Sequence, residues 1–282
     1  MDADKLVEEL AASFMQTVAV LGKVVISLER WHEGSHSSFV AQKSGAAARL
    51  IGLGAADVIE IETAGRLHDI GKIGLPDSIC AKAPSDMSLE EFRVYSAHPE
   101  NGRLILSPHQ HFDSVGQIIA QHHEKYDGTG FPDKLRGEQI HIGAALIAVA
   151  DFYHNGMHRK YPGRTTQTFI PGTGENYIRA TEPRFANVMN ALHNRSKRWF
   201  SPQAVDAFTS VIEAERRSLG IRTVMRVGVN QLKPGMFFAD DYYASYGLLL
   251  VARGEPVNEE SLPRLMHLAE IGELPQKILV MR

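Results

Sequence analysis

The amino-acid sequence predicts a mostly α-helical protein with a small α+β module at its C-terminal end. Over about the first two hundred residues, apolar side chains recur at steps of three and four positions, which is the spacing of amphipathic helices. After Gly220 the apolar residues alternate instead, and a Lys-Pro-Gly turn signal at 233–235 separates short apolar runs. The chain has 282 residues, of which 44% are hydrophobic, so it can bury one large core and a small module.

The first predicted helix runs from about Asp4 to Glu29. Its apolar residues share one face and comprise Leu6, Leu10, Phe14, Val18, Leu21, Val25 and Leu28. An amphipathic helix has to bury such a face against a partner. The body of this chain, a second copy of the chain and an upstream domain all remain open as that partner. The helix is therefore a candidate connecting element or homodimer interface.

Seven further helices are predicted by the same spacing, and glycine, proline and polar clusters separate them. They lie at 36–53, 57–70, 88–106, 112–124, 138–156, 183–194 and 202–218. Between Lys160 and Thr181 the apolar pattern gives way to glycine, threonine and proline, which predicts a long loop, either a lid or disordered.

The C-terminal segment has the pattern of short strands around one helix. Strands are predicted from Val224 to Val229, over 246–251 and over 277–280, with a helix from about Glu259 to Ala269. The expected organisation is a connecting or dimerisation helix at 1–30, a helical domain at 31–219 and a β-rich accessory module at 220–282.

Composition narrows the classes of partner. The formal net charge is −3, with acidic and basic residues mixed along the chain, so no basic stripe for a nucleic acid polymer is expected. Cys80 is the sole cysteine, which excludes an intrachain disulfide and fits a reducing compartment. The longest apolar stretch, 14–28, is broken by polar residues, so no membrane span is expected. These observations favour a cytoplasmic protein.

Histidines and aspartates cluster in a way that indicates a metal site. The adjacent pair His68 and Asp69 falls near a predicted helix end, and further candidate ligands stand within helical patterns on either side. The complete set is His36, His68, Asp69, His98, His122, His123 and Asp151. A single histidine on an apolar helix face is more often a hydrogen-bonded core residue. Imidazoles and carboxylates without a thiolate together suit iron, manganese or zinc, and two bridged ions suit phosphoester hydrolysis.

Four segments resemble the motifs of the HD-GYP family, a branch of the HD-domain metal-dependent phosphohydrolases. Segment 68–77 reads H-D-I-G-K-I-G-L-P-D, segment 98–102 reads H-P-E-N-G, segment 122–132 reads H-H-E-K-Y-D-G-T-G-F-P and segment 150–153 reads A-D-F-Y. The resemblance covers about 31–219. It implies an HD-domain helical bundle, two divalent metal ions, hydrolysis of the bacterial messenger cyclic di-GMP to pGpG or GMP, and service as the output part of a response regulator behind a receiver domain.

The resemblance also implies roles for individual residues. The seven clustered residues would ligate the ions, commonly iron or manganese, with zinc, nickel and magnesium as alternatives. His32 occupies the position from which some members bind a third ion, usually through a glutamate. Asp69 and Lys72 would be catalytic. Substrate contacts would come from Lys72, Gly128, Gly130, Phe131, Pro132, Arg159 and Lys160.

Two departures from the family pattern keep other functions open. Phe131 stands where the family has tyrosine, and His154 stands where it has a second aspartate, followed by Asn155 and Gly156. A binding module that retains the metals but has lost catalysis is therefore one alternative. Hydrolysis of a different nucleotide is another.

Overall fold

The structure, a computed structural model, describes residues 3–32, 35–159, 175–218, 224–240, 242–245, 249–251 and 255–281. Within these residues helices dominate and strands first occur at Val224, so the predicted fold class is confirmed. The helices are α1 Ala3–Leu28, α2 His36–Leu50, α3 Ala55–Leu67, α4 Asp77–Cys80, α5 Leu89–Tyr95, α6 His98–Leu106, α7 Asp113–Gln121, α8 Ile142–His158, α9 Glu175–Arg195, α10 Pro202–Ser218 and α11 Ser261–Glu270. The strands are β1 Val224–Gly228, β2 Phe237–Phe238, β3 Tyr242–Tyr243, β4 Leu249–Val251 and β5 Lys277–Met281.

The chain divides into two compact units. The first comprises Met1–Pro171 and Asn187–Val211, and the second comprises Gly172–Ala186 and Ile212–Arg282. The division therefore falls inside α9 and α10.

The core of the first unit forms where α2 packs against α3 and α8, and where α7 packs against α3 and α6. Helix α8 is apolar on most of its surface, as expected of a helix that is surrounded on several sides. Small residues let α2 and α3 approach closely, since a Cβ atom at Gly65 would lie 2.8 Å from the Cα atom of Ala41. This packing brings the C-terminal end of α3 to the inside of the unit.

The helices predicted at 36–53 and 112–124 end three residues early, at Leu50 and Gln121, and three further helix predictions need correction. The helix predicted at 88–106 is two helices, because Pro99 occupies the first turn of α6 and cannot continue a preceding helix. The helix predicted at 57–70 ends at Leu67, so the His-Asp pair lies in the turn that follows it. The helix predicted at 138–156 begins at Ile142 and continues through Gly156 to His158.

The loop predicted between Lys160 and Thr181 is wrong at its C-terminal end, since α9 begins at Glu175. Segment 175–182 has few apolar residues, so its helical character leaves little periodic signal. The remainder of the predicted loop, 160–174, lies outside the described residues.

The C-terminal part of the second unit contains two antiparallel sheets. Strand β5 lies between β1 and β2, and β3 pairs with β4. Helix α11 contributes Leu265 and Ala269 to a core that also contains Phe238, Ile278 and Val280. Of the strand predicted at 246–251, residues 249–251 form β4 and residues 246–248 lie outside the described part of the chain.

Among the described residues, no helix combines the length and the apolar character that crossing a bilayer requires.

Candidate metal centre

The His-Asp pair sits in a tight turn that follows α3 in the chain and packs against α6. His68 follows the last residue of α3, and a short 3-10 turn, Ile70–Lys72, comes directly after Asp69. Gly71 allows this turn to lie against the backbone of α6, because a Cβ atom at Gly71 would collide with the carbonyl of His98. Both members of the pair are buried, so the fold holds two metal-binding side chains away from bulk water.

Three histidines of the cluster are oriented by backbone carbonyls. In each, Nδ1 lies within hydrogen-bond distance of the carbonyl three residues earlier, so Nδ1 carries the proton and Nε2 keeps its lone pair. The pairs are His68 with Gly65 at 2.8 Å, His98 with Tyr95 at 2.8 Å and His122 with Ile119 at 2.6 Å. The three Nε2 atoms are thereby left available as metal ligands.

His36 is held in a different way. It is the first residue of α2, and the buried carboxylate of Glu29 accepts hydrogen bonds from the backbone N–H groups of His36, at 2.9 Å, and Ser37, at 2.6 Å. A carboxylate at a helix N-terminus also complements the helix dipole. The Nδ1 atom of His36 lies 3.0 Å from Nδ1 of His154, and its Nε2 atom lies 3.1 Å from Oδ1 of Asp151.

The candidate ligands converge on two carboxylates. Oδ1 of Asp69 lies 3.6 Å from Nε2 of His68 and 3.5 Å from Nε2 of His98. Oδ1 of Asp151 lies 3.8 Å from Nε2 of His68, which therefore stands between the two aspartates. Within the described residues, three groups of potential ligand atoms are close enough to share an ion: His36, His68 and Asp69; His98, His122 and His123; and His32, His36 and His154.

The chemistry of these donors fits divalent cations. The Nε2 atoms of His36, His68 and His123 are buried and have no hydrogen-bond partner. A buried polar atom without a partner costs about 1–3 kcal/mol, so such atoms are rare unless an ion or a ligand satisfies them. Imidazole and carboxylate donors without thiolates suit iron, manganese and zinc.

The electrostatics hold most ligands in the form that binds a metal. Burial alone would raise the pKa of Asp69, yet the charges of Lys72 and the neighbouring histidines keep it well below its usual value. The pKa of Asp151 is likewise well below its usual value, because the favourable effect of the nearby imidazoles of His36 and His68 on the carboxylate outweighs burial. Burial lowers the pKa of His122 to about 4. A deprotonated ligand set is what metal binding requires.

His68 is the exception, because it sits between two carboxylates. Burial alone would lower its pKa, but Asp69 and Asp151 raise it above the ordinary histidine value. The raised pKa favours a second proton, on Nε2, in the metal-free protein, and a cation that binds there must displace it.

A cavity of about 210 Å³ adjoins the cluster, and its walls include Trp31, His32, Asp69, Lys72 and Arg159. The ammonium group of Lys72 lies 2.7 Å from Oδ2 of Asp69. Burial alone would lower the pKa of Lys72, but the carboxylate of Asp69 raises it, so the cavity carries a fixed positive charge beside the cluster.

A family model described as the HD domain matches residues 22–170, which is more than half of the chain. The chain belongs to the HD-domain family. All seven predicted ligands lie inside the matched segment, as do Lys72 and Arg159.

Known proteins similar to this HD domain include two curated phosphodiesterases. It is 42% identical to the cyclic di-GMP phosphodiesterase response regulator RpfG of Xanthomonas campestris over 128 residues. This aligned segment covers 44% of this chain and 34% of that protein. It is 37% identical over 131 residues to the 3'3'-cGAMP-specific phosphodiesterase 2 of Vibrio cholerae, covering 45% and 25% respectively. The match thus spans a quarter to a third of the length of these relatives.

The chain is similar to one solved structure, that of the HDG"Y"P protein Bd1817 from Bdellovibrio bacteriovorus. The TM-score is 0.49 and the sequence identity is 21%, and the match covers 64% of this chain and 52% of that one. The predicted relationship to HD-GYP phosphodiesterases is confirmed through the HD domain and the curated relatives.

The loop after the histidine doublet of the HD domain is anchored to its own chain. The carboxylate of Glu124 accepts hydrogen bonds from the backbone N–H groups of Asp133, at 2.6 Å, and Leu135, at 3.1 Å. Gly130 is packed so closely against the backbone of 124–125 that a Cβ atom would collide there. Gly128 has a φ of +76°, a left-handed conformation that favours glycine.

This anchoring carries the aromatic ring of Phe131 to the edge of the cluster. Its centroid lies 4.9 Å from that of His123 and 5.7 Å from that of Phe92. The peptide bond from Phe131 to Pro132 is cis. Phe131, one of the loop residues predicted to contact substrate, therefore lies beside the candidate ligand His123.

Two of the residues that depart from the HD-GYP pattern, His154 and Asn155, lie directly against candidate ligands. Asn155 donates from Nδ2 to Oδ1 of Asp151 at 2.7 Å, and its Oδ1 accepts from Nε2 of His32 at 2.9 Å. Burial lowers the pKa of His154 to about 2, so this ring is neutral. Gly156 makes room for α9, since a Cβ atom there would lie 2.8 Å from the side chain of Val188.

Of the two basic residues expected beyond Asp151, Arg159 belongs to the described part of the chain. Arg159 is buried, and its Nη2 atom donates to the backbone carbonyls of Cys80, at 2.8 Å, and Lys82, at 3.3 Å. Lys160 lies outside the described residues.

The sequence analysis did not predict the contact of Glu29 with the start of α2 or the contact of Asn155 with Asp151. Asn155 could have been found, because it lies four residues after Asp151 and so shares its helix face. Glu29 leaves a weaker signal, a single carboxylate at the end of an apolar helix.

Proposed function

We propose that this HD domain is a metal-dependent phosphodiesterase that hydrolyses a cyclic dinucleotide, with cyclic di-GMP as the first candidate and pGpG or GMP as product. The observation that carries the proposal is the set of buried imidazole nitrogens without hydrogen-bond partners, which face two aspartates beside Lys72. The names of the relatives support the substrate class, since they are phosphodiesterases of cyclic di-GMP and 3'3'-cGAMP.

The proposed ligands of two divalent ions are His36, His68, Asp69, His98, His122, His123 and Asp151, and iron or manganese is the preferred metal. Bound ions of this kind polarise a phosphoryl oxygen and activate a water molecule. Asp69 serves as the shared carboxylate between the two groups of histidines, from which its Oδ1 atom is 3.5–3.6 Å distant. His32 is the candidate additional ligand for a third ion.

Lys72 is the proposed phosphate-binding residue. Its ammonium group is held beside Asp69 and faces the cavity, where it can donate to a phosphoryl oxygen and offset the charge that develops there. The loop residues Gly128, Gly130, Phe131 and Pro132 are further proposed substrate contacts, and the ring of Phe131 beside His123 would offer a surface for a base. Arg159 and Lys160 are the proposed basic contacts to the second phosphate.

Metal analysis combined with a turnover assay tests this function. Protein purified without oxygen is expected to contain about two ions per chain and to hydrolyse at least one of cyclic di-GMP, 3'3'-cGAMP and pGpG. Asp69→Ala and His36→Ala should each lose metal and turnover, whereas His267→Ala, which removes an exposed histidine of α11, should change neither. A parent protein without metal, or turnover that survives Asp69→Ala, would contradict the assignment.

A binding module is the second candidate, and the altered residues next to Asp151 favour it. Asn155 donates to Oδ1 of Asp151 at 2.7 Å, and Nδ1 of His154 lies 3.0 Å from Nδ1 of His36, so both altered residues contact proposed ligands. Calorimetry that detects tight cyclic di-GMP binding by the metal-loaded protein, together with no turnover of any nucleotide tested, would support this candidate over the enzyme.

We also propose that α1 forms a homodimer interface or a connection to an upstream receiver domain. Val18 and Val25 of α1 are buried, but Met15, Val20 and Val24 remain exposed on the same helix. One of the relatives is named a response regulator, which supports the receiver connection. Sedimentation of the chain with Val20→Glu against the parent chain tests the dimer, which this charge should dissociate.

A further inference from the structure

His36 lacks the backbone hydrogen bond that orients His68, His98 and His122. His68, His98 and His122 each donate from Nδ1 to a carbonyl three residues earlier. His36 is the first residue of α2, and its Nδ1 atom faces Nδ1 of His154 at 3.0 Å. That distance suits an N–H···N hydrogen bond, which requires one proton between the two nitrogens.

The direction of this hydrogen bond follows from the other nitrogen of His36. Its Nε2 atom is buried without a hydrogen-bond partner and lies 3.1 Å from Oδ1 of Asp151. If Nε2 is to offer its lone pair to a cation beside Asp151, the proton of a neutral His36 must sit on Nδ1. His154 is then the acceptor, through the lone pair of its own Nδ1 atom.

The fold holds the His154 ring in place to receive that proton. His154 lies three residues after Asp151 on α8, so both side chains leave the same face of the helix. Its ring packs between Phe39, with centroids 4.8 Å apart, and His158, with centroids 4.7 Å apart. A rigid acceptor of this kind fixes both the tautomer and the plane of the histidine that it contacts.

An ion bound jointly by His32, His36 and His154 does not fit the geometry, so the third ion proposed at His32 would need ligands other than His36 and His154. The rings of His32 and His36 are stacked, with centroids 4.1 Å apart and planes inclined by only 8°. Lone pairs of imidazole nitrogens lie in the ring plane, so in two stacked rings they run nearly parallel and do not converge on one ion. His32 also uses its Nε2 atom in the contact with Asn155.

We propose that His154 is a positioning residue that accepts a hydrogen bond from His36 Nδ1 and so presents His36 Nε2 to the metal. This inference rests on the proposed metal centre. The HD-GYP pattern has an aspartate at this position, and a carboxylate could accept the same proton. The chain therefore replaces a charged acceptor by a neutral one without losing the hydrogen bond.

Nitrogen NMR on protein labelled with ¹⁵N at histidine tests the hydrogen bond directly. We expect a scalar coupling between the two Nδ1 nuclei in the metal-free and the zinc-loaded protein, and in the zinc-loaded protein we expect the proton to be bonded to His36. In the zinc-loaded protein, a proton bonded to His154 Nδ1 or a shift of the His154 nitrogen to the value of a metal ligand would overturn the proposal, as would an absent coupling in either form. His36→Asn and His154→Asp assign the two signals.

Zinc affinity, measured by competition with a chelator, tests the consequence for the metal. His154→Phe should weaken binding by roughly 10- to 100-fold, as loss of a partner behind a ligating histidine does, whereas His154→Asp should retain most of it. His267→Phe, which changes an exposed histidine of α11, is the control and should match the parent. Equal affinities of the parent and His154→Phe would overturn the proposal.

The two inferences fail in different ways. If the parent protein binds no zinc, the proposed function is contradicted, and the nitrogen coupling in the metal-free protein still decides whether His154 holds His36. If zinc binds tightly in every variant, the metal centre stands and the role of His154 is refuted. Unfolding midpoints of all variants identify any loss of affinity that comes from a damaged fold.

Discussion

Replacing Asp69 by asparagine leaves the ammonium group of Lys72 buried without its carboxylate partner. The two groups lie 2.7 Å apart, and their side chains are only 8% and 13% exposed. Breaking a buried ion pair by removing one partner costs about 3–5 kcal/mol. Because Lys72 borders a cavity, the lower end of that range applies, and we expect Asp69→Asn to destabilise the metal-free protein by about 3 kcal/mol.

Removing the other partner should cost less. In Lys72→Met, the carboxylate of Asp69 still has His68 and His98 within 3.6 Å, and an imidazole can take up a proton and replace the lost cation. We expect a loss of about 1–2 kcal/mol, and the double variant should be less destabilised than the sum of the single variants. The asymmetry between the two single variants follows from the number of basic groups around one carboxylate.

Urea unfolding of chelator-treated protein measures these differences. Trp31 and Trp199 are the two tryptophans of the chain and both belong to the first compact unit, so their fluorescence follows the unit that holds the ion pair. A loss below about 1 kcal/mol for Asp69→Asn, or a larger loss for Lys72→Met than for Asp69→Asn, would refute the reasoning.

The same measurement should be made near pH 7. The pKa of Asp69 is lowered by folding, so its contribution to stability is present above its unfolded pKa and is lost as the pH falls through the folded one. The pKa of Lys72 is raised by folding, so its contribution is present below its unfolded pKa and is lost as the pH rises through the folded one. Near pH 7 both contributions to the free energy of unfolding are therefore present.

Three further outcomes are expected. Glu29→Gln should lower stability by about 1–3 kcal/mol, because an amide offers one acceptor oxygen to two buried N–H groups; urea unfolding checks this against the exposed control Glu90→Gln. Gly71→Ala should separate the His-Asp turn from α6 and weaken zinc binding, measured by chelator competition, and unchanged affinity would contradict the close contact. Zinc affinity should rise as the pH approaches the raised pKa of His68 and should level off above it, because the ion displaces the proton of that imidazole. A zinc affinity that does not change with pH would exclude this.

Local patterns predicted the helices well where apolar periodicity is strong. Helix α10 matches its predicted bounds, and α1 differs by one residue at each end. The errors occur where one residue overrides the pattern, as Pro99 does between α5 and α6, or where apolar residues are few, as at the start of α9. In these places backbone chemistry or packing determines the structure, and the periodicity of apolar residues does not indicate it.

The sequence indicated the candidate ligands but not the groups that orient them. Residue type and motif spacing point to His36 and Asp151, whereas the contact between His36 and His154 joins positions 118 residues apart. Such a contact depends on how α2 packs against α8, which no local pattern encodes. The same limit applies to Glu29, whose role appears only once the turn between α1 and α2 brings it back to the start of α2.

The carbonyls that orient His68, His98 and His122 belong to the last turns of α3, α5 and α7. Any fraying of these helix ends therefore also rotates an imidazole out of the cluster. The residence time of a bound ion would then be limited by how often the helix ends open, so amide hydrogen exchange at those three turns and the rate of metal release should change together.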